Sequence, residues 1–184
     1  MNVLVLVGSL RAGSTNRQLA DAAVAHLPAG VGTTVFERLA DLPHYSEELD
    51  HDDALPEVAR DLRDAVADHD AVLLVTPEYN GSLPSALKNA IDWASRPRGA
   101  AVIAGKPAAV IGASGSPRAA QWAREDGVRV LTVAGADVVD DTVGVGSAFQ
   151  AFEEGRLSDA ALDTSLRGLV RSLTAKVEQA RTAA

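Results

Sequence analysis

Two segments of the chain gather the residue types that can hold an anion and a flat ring. The first reads Gly8-Ser9-Leu10-Arg11-Ala12-Gly13-Ser14-Thr15-Asn16 and follows an apolar run at 3–7 directly. Its small residues let the backbone approach a ligand, the hydroxyls of Ser9, Ser14 and Thr15 can donate, and Arg11 is its one cation. A helix starting behind this turn would add unpaired N–H groups and a favourable dipole, so a phosphate suits it. The plainer use of the same residues is a small-residue connection in which Ser14 or Thr15 caps the helix. Gly8 and Gly13 have the G-x-x-x-x-G spacing of a nucleoside triphosphate loop, but Ser14 stands where that loop requires Lys. The dinucleotide pattern G-x-G-x-x-G fails as well, because Leu10 takes the place of its second glycine. A mononucleotide phosphate held by hydroxyls, amides and one Arg remains.

The second segment is Pro77-Glu78-Tyr79-Asn80-Gly81-Ser82-Leu83-Pro84, followed by Ser85-Ala86-Leu87-Lys88-Asn89-Ala90-Ile91-Asp92-Trp93. Pro77 and Pro84 stiffen the stretch, and Gly81 permits a positive φ between them. A loop of this kind presents its amides rigidly to a flat ligand, with Tyr79 and Asn80 beside them. Pro84 in a first helical turn then starts a helix that ends near Trp93. Elsewhere the sequence offers little chemistry. His26, His44, His51 and His69 lack metal-ligand spacing, so no metal site is expected. The acidic run at 47–53 reads as a solvated loop, and no Ser–His–Asp arrangement can be inferred.

Doubly wound α/β folds position such loops at the carboxyl ends of their strands. Apolar runs fall at 3–7, 31–36, 71–76 and 108–111, with a weaker one at 136–139. The runs at 3–7 and 71–76 do not alternate, as expected of parallel strands covered on both faces. Helical stripes lie between and after them, among them Leu55, Val58, Ala59, Leu62 and Val66, and later Leu162, Leu166, Leu169, Val170, Leu173 and Val177. Strand and helix alternate along the whole length, the pattern of an α/β sandwich. The stretch 128–133 could form a sixth strand by propensity. The spacing of its neighbours instead makes it the second half of a helix starting near Pro117, with Gly127 tolerated at a cost of about 1 kcal/mol.

A chain of 184 residues is expected to form one domain. The formal net charge of −8 argues against a nucleic-acid partner. Cysteine is absent, which removes disulfides, thiolate metal sites and cysteine nucleophiles, and leans toward a cytoplasmic protein. No apolar run approaches the roughly 18 residues of a spanning helix, so no membrane insertion is expected.

Taken together, Gly8-Ser9-x-Arg11-x-x-Ser14-x-Asn16 and the long segment from Pro77 to Trp93 resemble the NAD(P)H-dependent FMN reductase family. The resemblance implies a flavodoxin-like three-layer α/β sandwich over 1–184, with a five-stranded parallel sheet in the order 2-1-3-4-5. It implies FMN at the carboxyl ends of the strands and a ping-pong reaction. NADPH or NADH would be the reductant, and a quinone, free flavin, azo compound or metal oxyanion the acceptor. Carried over by position, Ser9, Arg11, Ser14, Thr15 and Asn16 would hold the FMN phosphate. Pro77, Glu78, Tyr79, Asn80 and Gly81 would run along the ribityl chain and one side of the ring. Ser114 and Gly115 would approach the ring through backbone groups. There the family pattern often continues with a Gly pair, where this chain has Ser116-Pro117-Arg118-Ala119-Ala120. Tyr79, Asn80 and Arg118 are the candidates for contact with reductant or acceptor, although a solvated or subunit-interface Arg118 is as good a reading. No side chain is assigned a catalytic role, since the flavin would carry the chemistry. The family further implies a homodimer or homotetramer, for which Leu87, Ile91 and Trp93 are the expected apolar surface. The rival classes are a flavodoxin-type electron carrier and a binding module without flavin.

Overall fold

The computed structural model describes residues 1–51 and 53–183; Asp52, part of the acidic run, lies outside them. Five parallel strands, β1 (Asn2–Val7), β2 (Gly32–Val35), β3 (Ala71–Thr76), β4 (Pro107–Ala113) and β5 (Asp137–Val145), form one sheet in the order β2-β1-β3-β4-β5. The expected strand order is therefore observed. The centre of the sheet is dry: every residue of β3 and β4 is buried. Side chains of β1 alternate between two cores. Val3, Val5 and Val7 face α1 (Thr15–Val24) and α5 (Ala160–Ala183), while Leu4 and Leu6 face α2 (Glu57–Asp68), α3 (Ser85–Ala94) and α4 (Gln121–Val133). Three layers follow from two-sided burial of a parallel sheet. A short hairpin, β6 (Phe152–Glu153) with β7 (Arg156–Leu157), lies between β5 and α5.

Residues 128–133 are helical, and Gly127 explains how. A Cβ there would stand 3.1 Å from Val110 and 3.3 Å from Leu74, so glycine lets α4 lie close on the sheet. The start expected near Pro117 is displaced to Gln121, because Ala119 and Ala120 both take the left-handed conformation (φ 55° and 54°). The weak fifth run at 136–139 is only the beginning of a nine-residue strand whose central Asp140 and Asp141 are exposed. An edge strand tolerates such polar residues.

Two expectations are corrected. Leu87, Ile91 and Trp93 are at most 2% exposed and fill the chain's own core, so they offer no surface to a neighbour. Their burial follows from α3 packing on the sheet and on α2. Nor is the acidic run uniformly solvated. Asp50 pairs with Arg63 at 2.7 Å, with both side chains 13% exposed, and accepts from the Tyr45 hydroxyl at 3.2 Å. Arg63 supplies the charge that makes burying Asp50 tolerable. No described helix is long and apolar enough to cross a membrane.

Candidate active site at the carboxyl ends of the strands

The loop after β1 is fixed from below and open above. The Gly8 amide donates to Val75 O at 2.8 Å, and a Cβ at Gly8 would strike Leu87 and Pro84 at 2.5–2.7 Å, so only glycine fits between β1 and α3. Ser14 is the N-cap of α1: its hydroxyl accepts from the Arg17 amide at 3.1 Å. Its capping role and its candidacy as a phosphate ligand coexist, because the hydroxyl keeps its own hydrogen to donate. Asn16 is 3% exposed and bonds the backbone of Ala113 twice, Nδ2 donating at 3.0 Å and Oδ1 accepting at 2.9 Å. It latches this loop to the end of β4, so its amide is largely spent on the scaffold. Thr15 opens the helix and is half-buried.

Arg11 is exposed and makes no ion pair among the described residues. Arg17, one turn into α1, is instead engaged. It holds Glu37 through two bonds of 2.8 and 3.2 Å, with Asp21 at 3.7 Å. Hydrogen bonding to Arg17 keeps the Glu37 carboxyl below its ordinary value, against a smaller opposing effect of burial. Of the two arginines near this turn, Arg11 is thus the one left for an incoming anion. Gly13 has φ 65° with open space where a Cβ would be, which keeps the backbone above the helix accessible.

The loop after β3 closes as a two-residue turn. Tyr79 and Ser82 exchange backbone hydrogen bonds of 3.2 Å each way, and Asn80 and Gly81 between them have φ 51° and 77°. An Asn-Gly pair is the usual sequence mark of such a turn, and it is the signal behind the rigidity expected of this loop. Tyr79 projects outward, 53% exposed, and Asn80 is exposed beside it. Pro77 is buried at the base of the loop.

Glu78 has a use that sequence reasoning missed. Helix α4 begins at a left-handed Ala120 that offers no side-chain cap. Glu78 reaches across to supply one, its Oε2 accepting from the Trp122 amide at 2.9 Å and the Ala123 amide at 3.3 Å. In the opposite sense, Asp126 of α4 accepts from the Ser82 hydroxyl at 2.5 Å and the Leu83 amide at 3.5 Å, and it also pairs with Arg129. Burial pushes the Asp126 carboxyl up, but the bonds from Ser82, Arg129 and Leu83 outweigh it and hold the group below the usual aspartate value. Two carboxylates therefore bolt the β3–α3 loop to the first turns of α4. No local motif marks this, because the partners lie more than 40 residues apart in sequence.

The loop after β4 completes the rim. The amide of Ser114 donates to Val145 O at 3.0 Å, and the ring of Phe149 lies so close to Gly115 that a Cβ there would be 2.8 Å away. Arg124, half-buried beneath, donates to Ala119 O at 3.0 Å and to the Thr142 hydroxyl. Burial lowers its guanidinium from the ordinary value, with Glu125 and Glu78 opposing. Arg118 stacks on the exposed indole of Trp122, its guanidinium carbon 4.1 Å from the ring centroid. The same indole also meets Gly81, where a Cβ would stand 3.0 Å from Trp122. The three loops thus meet at the ends of β1, β3 and β4, the point where the strand order reverses and α/β sheets bind ligands.

Asn89 and Trp93, from the same long segment, serve the scaffold. The Asn89 amide donates to Leu42 O and Pro43 O and accepts from the Tyr45 amide, while the Trp93 indole N–H donates to Pro43 O at 2.8 Å.

Comparison with known proteins places this geometry. The model of the family described as NADPH-dependent FMN reductase matches residues 1–150. A 2-hydroxy-1,4-benzoquinone reductase from a Burkholderia species is 49% identical over 114 residues, 62% of this chain and 61% of that protein. A quinone reductase of Pseudomonas putida is 46% identical over 113 residues, 61% of this chain and 60% of that protein. The chain thus matches about three fifths of the length of these curated relatives. Among solved structures, the flavoenzyme NAD(P)H:(acceptor) oxidoreductase FerB from Paracoccus denitrificans superposes with a TM-score of 0.84 at 34% identity, over 97% of both chains.

Proposed function

We propose, from the premise that the chain belongs to the NADPH-dependent FMN reductase family, that it takes a hydride from NADPH or NADH and reduces a quinone. Free flavins, azo compounds and metal oxyanions are further acceptors of the same reading, and reductant and acceptor take turns at one site. The observation that carries it is the meeting of an uncommitted Arg11, at a helix N-terminus, with two rigid loops at the reversal point of the sheet. Residues 1–184 are read as one reductase domain.

The residues fit FMN. Arg11, the Ser9 hydroxyl and the amides before α1 form a donor set for a phosphate, and Glu37, which lines the same cavity, is already paired with Arg17. Ser14, Thr15 and Asn16 support that set, Ser14 with a remaining donor and Asn16 by holding the loop to Ala113. The amides of Asn80 and Gly81 within the turn, and of Gly115 beyond β4, make no hydrogen bond among the described residues and are open to the polar edge of a flat ring, while Ser114 is held by Val145 and Ala148. FMN, when bound, supplies the hydride and electron chemistry that no side chain here provides. The protein's own part is to orient and exclude. Glu78 and Asp126 keep the β3–α3 loop from moving against α4. Tyr79, Asn80 and Arg118 stand where a visiting nicotinamide or quinone would be met. The relatives' names support a quinone as acceptor.

The protein is read as cytoplasmic, and as a homodimer or homotetramer. With Leu87, Ile91 and Trp93 buried, the surface for a second copy falls on α4, where Trp122 is 47% and Val133 81% exposed. Initial rates with NADPH and a benzoquinone test the function. FMN-loaded protein is expected to give parallel double-reciprocal lines. Intersecting lines overturn the alternating order, and a protein that consumes NADPH no faster than free FMN is a carrier or a binding module instead.

A further inference from the structure

Among the described residues five large apolar side chains are exposed, and they are unevenly placed. Leu10, Tyr79, Trp122 and Phe149 all stand at the carboxyl ends of the strands, in the loops after β1, β3 and β5 and in the first turn of α4. The fifth, Val133, lies at the far end of α4. Tyr79 and Trp122 belong to parts of the site already described. Phe149 does not, and at 77% exposure it is the barest aromatic ring among them.

The backbone that carries Phe149 is firmly held. The Ala148 amide donates to Ser114 O at 3.1 Å and the Ser147 amide to Ser116 O at 3.3 Å, which fastens the loop after β5 to the loop after β4. Ser147 takes the left-handed conformation, φ 47°, which residues other than glycine seldom adopt. Gly146 before it has no room for a side chain, since a Cβ would meet Pro117 O at 2.8 Å. These constraints fix where the ring emerges. Its edge rests against Gly115, where the missing Cβ makes room for it. The Gly115 amide makes no hydrogen bond among the described residues. An amide open to the polar edge of the flavin and an apolar ring therefore stand side by side at the end of β4. An aromatic ring left in water gains by being covered, and a planar conjugated molecule covers it best. A compact inorganic anion gains nothing from it.

We propose that Phe149 is a specificity-determining residue of the proposed reaction: its ring packs against the flat ring of the visiting acceptor and so favours quinones over acceptors without a ring. The inference rests on the proposed function. It adds a side chain from the loop after β5, a part of the chain that carries no site residue in that reading.

Steady-state rates of the FMN-loaded protein with menadione, a two-ring quinone, and with ferricyanide, which has no ring, test it in wild type, Phe149→Ala and Phe149→Tyr. In Phe149→Ala, kcat/KM for menadione is expected to fall about 3- to 10-fold, the range of one aromatic contact. With ferricyanide kcat/KM should stay within about twofold, and so should the Kd for FMN. Phe149→Tyr keeps the ring and should keep the menadione value. A second reading needs no turnover: menadione is titrated into oxidised, FMN-loaded protein without reductant and followed by the flavin's visible spectrum. Its Kd should weaken in Phe149→Ala by the same factor as kcat/KM falls. An unchanged menadione value overturns the assignment. An equal fall with both acceptors does so too, because it marks a disturbed loop, and FMN binding weakened beyond twofold moves the ring from the acceptor to the cofactor. The exposed position of Phe149 lets the Ala variant fold, and a wild-type Tm checks this. Wild-type protein that fails to bind FMN or to oxidise NADPH sinks the proposed function, and this inference with it, before any variant is compared.

Discussion

Replacing Glu78 by Ala removes the only side-chain acceptor at the start of α4 among the described residues. The Trp122 and Ala123 amides then lose partners at 2.9 and 3.3 Å, and the positive end of the helix loses a carboxylate. Loss of an N-cap costs about 0.5–2 kcal/mol, and a charge at a helix terminus contributes about 0.3–1 kcal/mol. Because the Trp122 bond is exposed and water can replace it, a total of about 1.5 kcal/mol is expected. For a chain of this size each kcal/mol lowers Tm by about 2–4 °C, which gives a drop of about 3–6 °C. Glu78→Gln keeps an acceptor and loses only the charge, so about half that drop is expected. Thermal unfolding followed by circular dichroism measures both. Hydrogen exchange adds the local reading: the Trp122 and Ala123 amides should exchange faster in Glu78→Ala, while amides of β3 are unaffected. FMN binding should weaken severalfold, as two of its loops lose their register. A Glu78→Ala protein with wild-type Tm and wild-type exchange at Trp122 refutes the clamp. An unchanged fold with FMN binding abolished would return Glu78 to direct ligand contact.

Arg11→Ala should weaken FMN binding by about 10- to 150-fold, the equivalent of a charge-assisted hydrogen bond, and Ser14→Ala by less; fluorescence titration ranks them. Added salt should narrow the Arg11 difference more than the Ser14 difference, and equal affinity for wild type and Arg11→Ala removes the phosphate from this loop. Tyr79→Ala should change turnover or acceptor choice in steady-state assays while most of the FMN stays bound; loss of flavin with normal activity in excess FMN would contradict its place on the acceptor side. Asp126 titrates below its unfolded value, so its stabilisation is full above about pH 4 and is lost as pH falls through the lower folded value. Denaturant unfolding of wild type and Asp126→Asn should therefore converge on acidification below that pH, and a constant gap down to pH 2 would count against the Ser82–Asp126 bond.

The fold was legible where burial and periodicity agree. The dry runs of β1 and β3 and the stripes of α2 and α5 each speak for themselves, because a parallel sheet covered on both faces leaves its central strands few polar positions. Sequence propensity misjudged 128–133 because what places a glycine in α4 is the proximity of Val110 and Leu74, which lies outside any local window. At the site, Arg11 and the Asn80-Gly81 turn were readable from residue type and order. The division of labour was not. Ser14, Asn16, Glu78 and Asn89 are polar residues in a ligand-like motif, yet Ser14 caps its own helix and the other three are engaged by backbone from another part of the chain. A motif reports that residues are needed together; it does not separate those that touch a ligand from those that hold the loops. The burial of Leu87, Ile91 and Trp93 shows the same limit, since an apolar helix face reads alike whether a sheet or a second subunit covers it.

The central claim is that these loops hold FMN so that a nicotinamide dinucleotide can reduce it. Anaerobic stopped-flow mixing of FMN-loaded protein with NADPH tests it most directly. Rapid, complete loss of the oxidised flavin's visible absorbance, restored by a benzoquinone, is the predicted result. Absorbance that fades no faster than that of free FMN with the same NADPH would contradict it.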